Sequence, residues 1–334
     1  MKEQPSGGII SRVRHLWQHF RTGWSESNPL AAEIDRVVEL ADPTIRRARR
    51  YRQVLRDPVA GVMNYCSSVI DAFPGPVRLS RKEYFDNPAV KALFVNPEDL
   101  ESLLLSGPDA ATLRQSGYTG EVVALLTMSK EEKTVLGYQQ QGEIVLRDVA
   151  QRSVNFVDHR LVAPSPDLAI TRAGILARGL EVLATVAMER ITGLRNNAAE
   201  LREKRAYLKG AITIFGGKSR LQEQFSVPDP AMAEKLRAAR ERLVAVEGEL
   251  AEVESLLATP EDALRHLSEV LVKPAETLTV QRQSIFLNWM NVLVDSRGEN
   301  GGHEIVMAEL SLLEELRRYG IFVIFSLTNG ELGR

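Results

Sequence analysis

The triplet Gly217-Lys218-Ser219 is the part of the sequence that comes nearest to a phosphate-binding loop. That motif needs another glycine five residues before the second one, and this chain has Ile212 there. The motif also needs a strand before the loop and a helix after it, so that backbone amides point at the phosphate. Here a long helical pattern comes first, so Lys218 is predicted to be a solvated lysine and not a phosphate ligand.

The other residues that could act in catalysis or bind a metal are scattered. His15 and His19 are one helical turn apart, but no carboxylate or third ligand lies near them in sequence. Cys66, the single cysteine, lies among apolar residues and is expected to be a buried thiol. The sequence therefore gives no catalytic residue, no metal site and no cofactor, and it favours a protein that is not an enzyme. A catalytic site assembled from distant residues stays an open alternative.

The densest basic run lies between residues 44 and 56. Guanidinium groups bind phosphates as planar forks, so this run could be a nucleic-acid surface. The residues that would carry such binding are Arg46, Arg47, Arg49, Arg50 and Arg52. Apolar residues within the run share one helical face. An amphipathic helix with a solvated basic face therefore explains the run too, and this second interpretation is favoured.

An amphipathic segment precedes these arginines, between residues 9 and 24. Trp17, Phe20 and Trp24 fall on one helical face, which arginines flank. Aromatic residues beside arginines are typical of a helix that lies in a membrane interface. Soluble proteins use the same pattern to dock a helix on their own body or on a partner, and we favour that interpretation.

Two long helical arms between residues 167 and 271 organise the chain. The second arm repeats apolar residues at heptad spacing from Met232 to Leu257, after a connection rich in glycine and proline. Heptad patterns joined by a short connection predict an antiparallel coiled-coil hairpin. Arg205 interrupts the seam and is expected to pair with Glu241 across it. The first arm repeats apolar or small residues every seven positions, namely Ala173, Leu180, Ala187, Leu194, Leu201, Leu208 and Phe215. A second seven-residue series, in which Arg205 is the one exception, consists of Ile170, Ala177, Ala184, Ile191, Ala198 and Ile212.

The hairpin offers two kinds of contact surface. Basic residues outnumber acidic ones near the tip, which suggests docking to an acidic partner or to nucleic acid. A solvated helix face with i,i+4 pairs, such as Glu200 with Lys204, also explains these charges and is favoured for the individual residues. Leu176 and Leu183 flank the first seam, and we expect them to favour self-association. The tip residues that we expect to contact a partner are Lys218, Arg220, Lys235 and Arg237.

The hydrophobic period changes to two on either side of the hairpin, which indicates short strands. These strands are too few to form two cores, so we expect one antiparallel or mixed sheet built from both segments. The predicted fold class is α+β and mainly α-helical, with an N-terminal helical subdomain and a small β-rich head that the long antiparallel coiled-coil hairpin interrupts. The predicted domains are an amphipathic segment at 1–29, the helical subdomain at 30–117, the head at 118–166 and 272–334, and the hairpin at 167–271.

The composition is that of an ordinary soluble protein. The chain has 334 residues, is 44% hydrophobic and 26% charged, and carries a formal net charge of −2. This near-neutral charge gives no global argument for nucleic acid. A single cysteine, the lack of an apolar stretch long enough to span a membrane and the lack of a signal-peptide core together predict a cytoplasmic location.

The sequence leaves three functional hypotheses. The leading one is a non-enzymatic interaction or scaffold protein, which presents the hairpin to protein partners and can form homo-oligomers. The alternative is a nucleic-acid-binding protein that uses an arginine-rich helix and the basic hairpin tip. The second alternative is a protein attached to a membrane surface through Trp17, Phe20 and Trp24.

Overall fold

The computed structural model describes residues 29–106, 108–115, 117–141, 144–225, 230–295 and 302–327. The chain is an α+β protein, 59% helical and 27% strand, with one six-stranded sheet and one very long helix. The predicted fold class is confirmed at this level. Within the described ranges, no helix is long and apolar enough to cross a membrane.

Two of the helices before the sheet begin at polar capping residues. Ser80 Oγ accepts a hydrogen bond from the Glu83 amide at 3.1 Å, and Asn96 Oδ1 accepts one from the Asp99 amide at 2.7 Å. These bonds satisfy amides that the first helical turn leaves unpaired. The elements are α1 Pro29–Ala41, a 3-10 helix Pro43–Arg47, α2 Tyr51–Ile70, α3 Arg81–Asp86, α4 Pro88–Leu93, α5 Pro97–Ser106 and α6 Pro108–Gln115.

Asp57-Pro58 has the sequence of a helix start, a capping residue followed by proline, and it predicts that a new helix begins there. That prediction is wrong, because α2 continues through Pro58. A proline inside a helix removes one backbone hydrogen bond and crowds the preceding turn. Leu55 and Val59, on either side of it, are both fully buried. We infer that burial of this continuous apolar face outweighs the cost of the proline.

One sheet collects strands from both sides of the long helices. Its order is β3-β2-β6-β5-β4 with antiparallel neighbours, and β1 pairs in parallel with β6. The prediction of a single sheet built from both segments is therefore confirmed. The strands are β1 Val77–Arg78, β2 Glu121–Gln141, β3 Ile144–Ser165, β4 Leu278–Leu287, β5 His303–Leu312 and β6 Leu316–Ser326.

Two details of the strands differ from the sequence-based prediction. The four short strands predicted between 121 and 157 form two long ones, because pairs such as Lys133 with Ser153 continue the ladder through the charged stretch. The segment 309–318, for which the sequence also allowed a helix, is the end of β5, a tight turn at residues 313–315 and the start of β6. Leu313 and Glu314 in this turn adopt positive φ angles of 51° and 61°.

Helices cover both faces of the sheet. Alternate residues of β2 point to opposite faces, so Leu126 and Leu125 belong to different apolar clusters. The Leu126 cluster includes Phe94 and Leu100 from the short helices. The Leu125 cluster includes Phe73, which follows α2.

The remaining elements are helical and follow β3. Asp167 Oδ1 accepts the Ala169 amide at 2.8 Å and so caps the long helix at a position that the sequence predicted. The elements are α7 Leu168–Phe225, α8 Pro230–Leu256, α9 Pro260–Val272 and α10 Pro274–Thr277.

Contacts divide the chain into two compact units. The sheet unit is built on Ala60–Leu180 and the residues from Lys273 onward, and the hairpin unit on Glu33–Val59 and Glu181–Val272. The predicted helical subdomain at 30–117 is thus distributed between the two. Within the hairpin unit, ion pairs from Arg36 to Glu181 and from Asp42 to Arg195 hold α1 and its C-terminal end along α7.

Candidate functional site

The two long helices of the hairpin unit pack along the heptad seam. A cluster of seam residues is buried between α7 and α8, with Leu243 and Val253 packed against it. Each of these side chains occupies a position that the seven-residue spacing assigns to the seam. The buried members of the cluster are Ala198, Leu201, Leu208, Val246 and Leu250.

One flank of this seam carries ion pairs between the two helices. Arg202 binds Glu254 at 2.7 Å, and Lys209 binds Glu247 at 2.8 Å. The two pairs advance by seven residues in opposite directions along the two helices, so they fix an antiparallel register. Arg202 and Lys209 of α7 are thus matched by glutamates of α8 on this flank, which we call the paired flank.

The expected pair between Arg205 and Glu241 is wrong. The register set by the paired flank places these two residues at different levels of the hairpin. Glu241 instead lies 3.5 Å from Arg237 on its own helix. Heptad spacing identifies seam positions within each helix, but it does not fix how far one helix is shifted along the other.

The opposite flank carries cations that are not matched across the seam. Lys218 immediately precedes a seam position of α7, and Lys235 and Arg242 precede the seam positions Leu236 and Leu243 of α8. All three cationic side chains are exposed, and none makes an ion pair within the described residues. Toward the tip this flank therefore presents positive charge to solvent, whereas Glu249, which precedes the seam position Leu250, is an exposed acid farther along it.

Two large apolar side chains lie beside these cations. Tyr207 is 76% exposed and Ile214 is 58% exposed, and their spacing of seven residues places them on one side of α7. The register of the hairpin puts Ile214 level with Arg242. We call Tyr207, Ile214, Lys218, Lys235 and Arg242 together the cationic flank; it combines exposed apolar surface with positive charge.

The four predicted tip residues do not all lie on the cationic flank. Lys218 and Lys235 belong to the cationic flank. Arg237 does not, because Glu234 at 2.7 Å and Glu241 at 3.5 Å surround its guanidinium group. Arg220 is exposed near the end of α7.

The sequence-based reading missed the rest of the flank, namely Tyr207, Ile214 and Arg242. Their heptad positions, just outside the seam, were a signal that could have identified them. The expected self-association surface is wrong, since Leu183 is fully buried and Leu176 packs against the Leu125 cluster of the sheet unit.

The predicted arginine-rich helix is also wrong, because the run is broken. The 3-10 helix ends at Arg47, Ala48 is extended, and Arg50 has a φ of 58° just before α2 begins. The arginines consequently have different surroundings. Arg46 binds Glu39 at 2.8 Å and Arg52 binds Asp35 at 2.6 Å, whereas the guanidinium groups of Arg47, Arg49 and Arg50 have no partner within the described residues.

Arg46 and Arg52 connect the arginine run to acidic residues of α1. Asp35 also accepts a hydrogen bond from the Tyr51 hydroxyl at 2.9 Å, and the Arg52 guanidinium holds the pKa of this carboxyl below its ordinary value. An open depression of about 590 Å³ lies beside the break in the run. Its lining residues are Arg49, Arg50, Gln53 and Val54.

Other residues singled out in the sequence do not form a site. Trp17, Phe20 and Trp24 lie outside the described residues, as do His15 and His19. Burial raises the pKa of the Cys66 thiol to about 11, which makes it a poor nucleophile. Among the described residues, no group of three histidine, cysteine, aspartate or glutamate side chains could hold a metal.

Comparisons with protein-family models, with curated proteins and with solved structures find no match. The two surfaces described above are the candidates for function.

Proposed function

We propose that this protein is a non-enzymatic interaction protein, and that its α7–α8 hairpin is a coiled coil that binds an acidic segment of a partner protein along the cationic flank. The observation that supports this proposal is the difference between the two flanks. Arg202 and Lys209 of the paired flank face glutamates of the same hairpin, whereas Lys218, Lys235 and Arg242 face solvent. The single cysteine, Cys66, suits a reducing compartment such as the cytoplasm, where we propose that the protein acts.

Charge favours an acidic partner in two ways. Carboxylates that approach Lys218, Lys235 and Arg242 reduce the repulsion among these like charges. The positive potential also steers an acidic segment toward the flank and raises its association rate at low salt. Each exposed ion pair contributes only about 0.2–1 kcal/mol, so charge mainly sets the orientation and choice of the partner.

Apolar contact would supply most of the affinity. Burying a large side chain that is exposed in the free protein contributes about 1.5–3 kcal/mol. Tyr207 and Ile214 are two such side chains, and tyrosine is enriched among the residues that dominate binding energy. The partner segment that fits is an amphipathic helix with apolar residues on one face and carboxylates beside them.

A second copy of this chain fits the flank less well. It would bring cations against cations, and the leucines expected to favour self-association are covered within the chain. The proposal therefore commits to a different, acidic protein as the partner.

The test is site-specific photocrosslinking in the native host. A photoreactive amino acid replaces Ile214 on the cationic flank or, as a matched control, Val244, which is 70% exposed and one position beyond the seam on the other side. We expect a covalent adduct with an acidic protein from position 214 and not from position 244. Adding Lys235→Glu and Arg242→Glu should remove the adduct, and raising the salt concentration should weaken it.

Three results would contradict the proposal. They are equal adducts from both positions, adducts with a second copy of this chain alone, and adducts that persist after charge reversal. Circular dichroism of each variant checks that the hairpin is still helical.

A further inference from the structure

We propose that Arg49, Arg50, Gln53 and Arg56 form a second binding surface, one that takes the phosphate backbone of a nucleic acid. This surface is separate from the cationic flank and does not depend on the function proposed for the hairpin. The broken arginine run creates it, because Arg49 and Arg50, at the break, both line one open depression.

Hydrogen bonds fix the backbone at the break while leaving the side chains exposed. The Arg50 carbonyl accepts the amides of Gln53 at 2.9 Å and of Val54 at 3.1 Å. The Arg49 amide donates to Glu261 Oε1 at 3.1 Å. These bonds hold the backbone of Arg49 and Arg50 in one conformation. The two side chains therefore extend from an ordered turn.

The local charge is positive after pairing is taken into account. Arg46 and Arg52 are matched by Glu39 and Asp35, so neither pair adds net charge. The guanidinium groups of four exposed arginines have no ion pair within the described residues, although Glu261 accepts the Arg49 amide and Asp57 adjoins Arg56 in sequence. The four arginines are Arg47, Arg49, Arg50 and Arg56.

The shape of the surface suits a chain and not an enclosed small molecule. The depression is wide open, with a volume of about 590 Å³, so a polymer can pass across it. Arg49 and Arg50 supply guanidinium forks for phosphate oxygens, and the Gln53 amide can donate to a sugar or phosphate oxygen. Arg56 follows Gln53 by three residues on α2 and extends the surface by about one helical turn.

The exposed Val54 side chain supports the same assignment. It is 47% exposed and lines the depression together with the arginines. Unpaired bases of a single strand present flat apolar faces that can contact such a side chain, and a duplex hides them. We therefore expect a preference for single strands, without base specificity.

The experiment measures the fluorescence anisotropy of a labelled single-stranded oligonucleotide with the full chain. The variant combines Arg49→Ala with Arg50→Asn, since asparagine tolerates the positive φ of Arg50. We expect its affinity to fall by at least about tenfold, because each arginine contacts a phosphate by charge-assisted hydrogen bonds. For the wild-type chain, three phosphate contacts predict a slope of log affinity against log salt of about −2.

Two control variants separate this surface from general charge. Lys91→Ala with Arg282→Ala also removes two exposed cations, and Lys218→Glu with Lys235→Glu alters the cationic flank. Both should keep the wild-type affinity. Thermal melting followed by circular dichroism confirms that every variant is folded.

Several outcomes would overturn the assignment. One is an Arg49/Arg50 variant that binds as well as the wild type or loses no more than the Lys91/Arg282 control. Another is loss of binding in the hairpin variant, which would place the nucleic acid on the cationic flank. A third is equally tight binding of inorganic tripolyphosphate, which would make this a site for small phosphate compounds.

Discussion

Glu33 is a buried carboxyl whose ionisation works against folding. Its side chain is 5% exposed, and Oε2 has no hydrogen-bond partner within the described residues. Burial raises its pKa above the ordinary value of 4.5, although Arg36 partly counteracts this effect. The folded chain therefore holds the proton more tightly than the unfolded chain, so stability falls as the pH rises from about 4.5 through the raised pKa.

Glu33→Gln removes this charge and keeps the size of the side chain. We expect the variant to have a higher Tm than the wild type at neutral pH. The difference should shrink on acidification and vanish below about pH 4, where the wild-type carboxyl is protonated in both states. Thermal unfolding of both proteins between about pH 4 and pH 7 measures this difference in Tm. A variant with a lower Tm at neutral pH would mean that the ionised carboxylate has a stabilising partner.

His159 shows the opposite dependence on pH. Its ring stacks on Phe94 with centroids 4.6 Å apart, and Nε2–H donates a hydrogen bond to the Leu93 carbonyl oxygen at 2.7 Å. Burial lowers the pKa of His159 below its ordinary value of 6.5, despite the opposing effect of that hydrogen bond. The unfolded chain therefore takes up the proton first, and this residue costs stability as the pH falls through about 6.5.

NMR titration of the His159 ring tests this prediction directly. We expect its midpoint to lie below that of a histidine in an unfolded peptide. His159→Gln keeps a donor for the Leu93 carbonyl, and the variant should lose less stability between about pH 7 and pH 5 than the wild type. A normal midpoint, together with identical pH profiles, would show that the ring is open to solvent in solution.

At the scale of elements, the buried seam holds the two arms of the hairpin together. Leu201 and Leu250 belong to the same apolar cluster and are 8% and 2% exposed. Ion pairs on the paired flank are exposed and add little by comparison. The stability of the hairpin should therefore respond to the seam and hardly at all to apolar residues outside it.

Leu201→Ala should destabilise the hairpin unit by about 2–3 kcal/mol, because it removes buried methyl groups and leaves a cavity. The matched control is Val244→Ala, which changes an exposed side chain on the same hairpin and should alter stability by less than about 0.5 kcal/mol. Urea unfolding followed by helical circular dichroism measures both. Equal effects of the two substitutions would mean that α7 and α8 do not pack through this seam.

The elements also show what periodicity can predict and where it stops. Heptad spacing identified seam residues such as Leu201 and Leu250, since that pattern depends only on positions within each helix. It could not predict the partner of Glu241, because the shift between two helices depends on contacts far apart in sequence. It also could not predict that α2 passes through Pro58, since the compensating burial comes from the tertiary fold.

At the scale of the whole molecule, the sheet depends on strands that the hairpin separates in sequence. β2 and β3 come before the long helices and β4, β5 and β6 follow them, yet β2 pairs with β6 in the middle of the sheet. The distal part of the hairpin contributes nothing to this pairing. We therefore expect that the distal ends of α7 and α8 can be removed without loss of the sheet.

The corresponding variant replaces residues 212–242 with a short glycine-rich turn and keeps the buried cluster around Leu201, Leu208 and Val246. We expect the NMR signals of sheet residues such as Phe325 to keep their positions. The variant lacks Ile214, Lys218, Lys235 and Arg242, so it should lose the acidic partner, while oligonucleotide binding through Arg49 and Arg50 is retained. If the sheet signals collapse as well, the distal hairpin is needed for folding. If the partner still binds with an intact sheet, the cationic flank is not its docking surface.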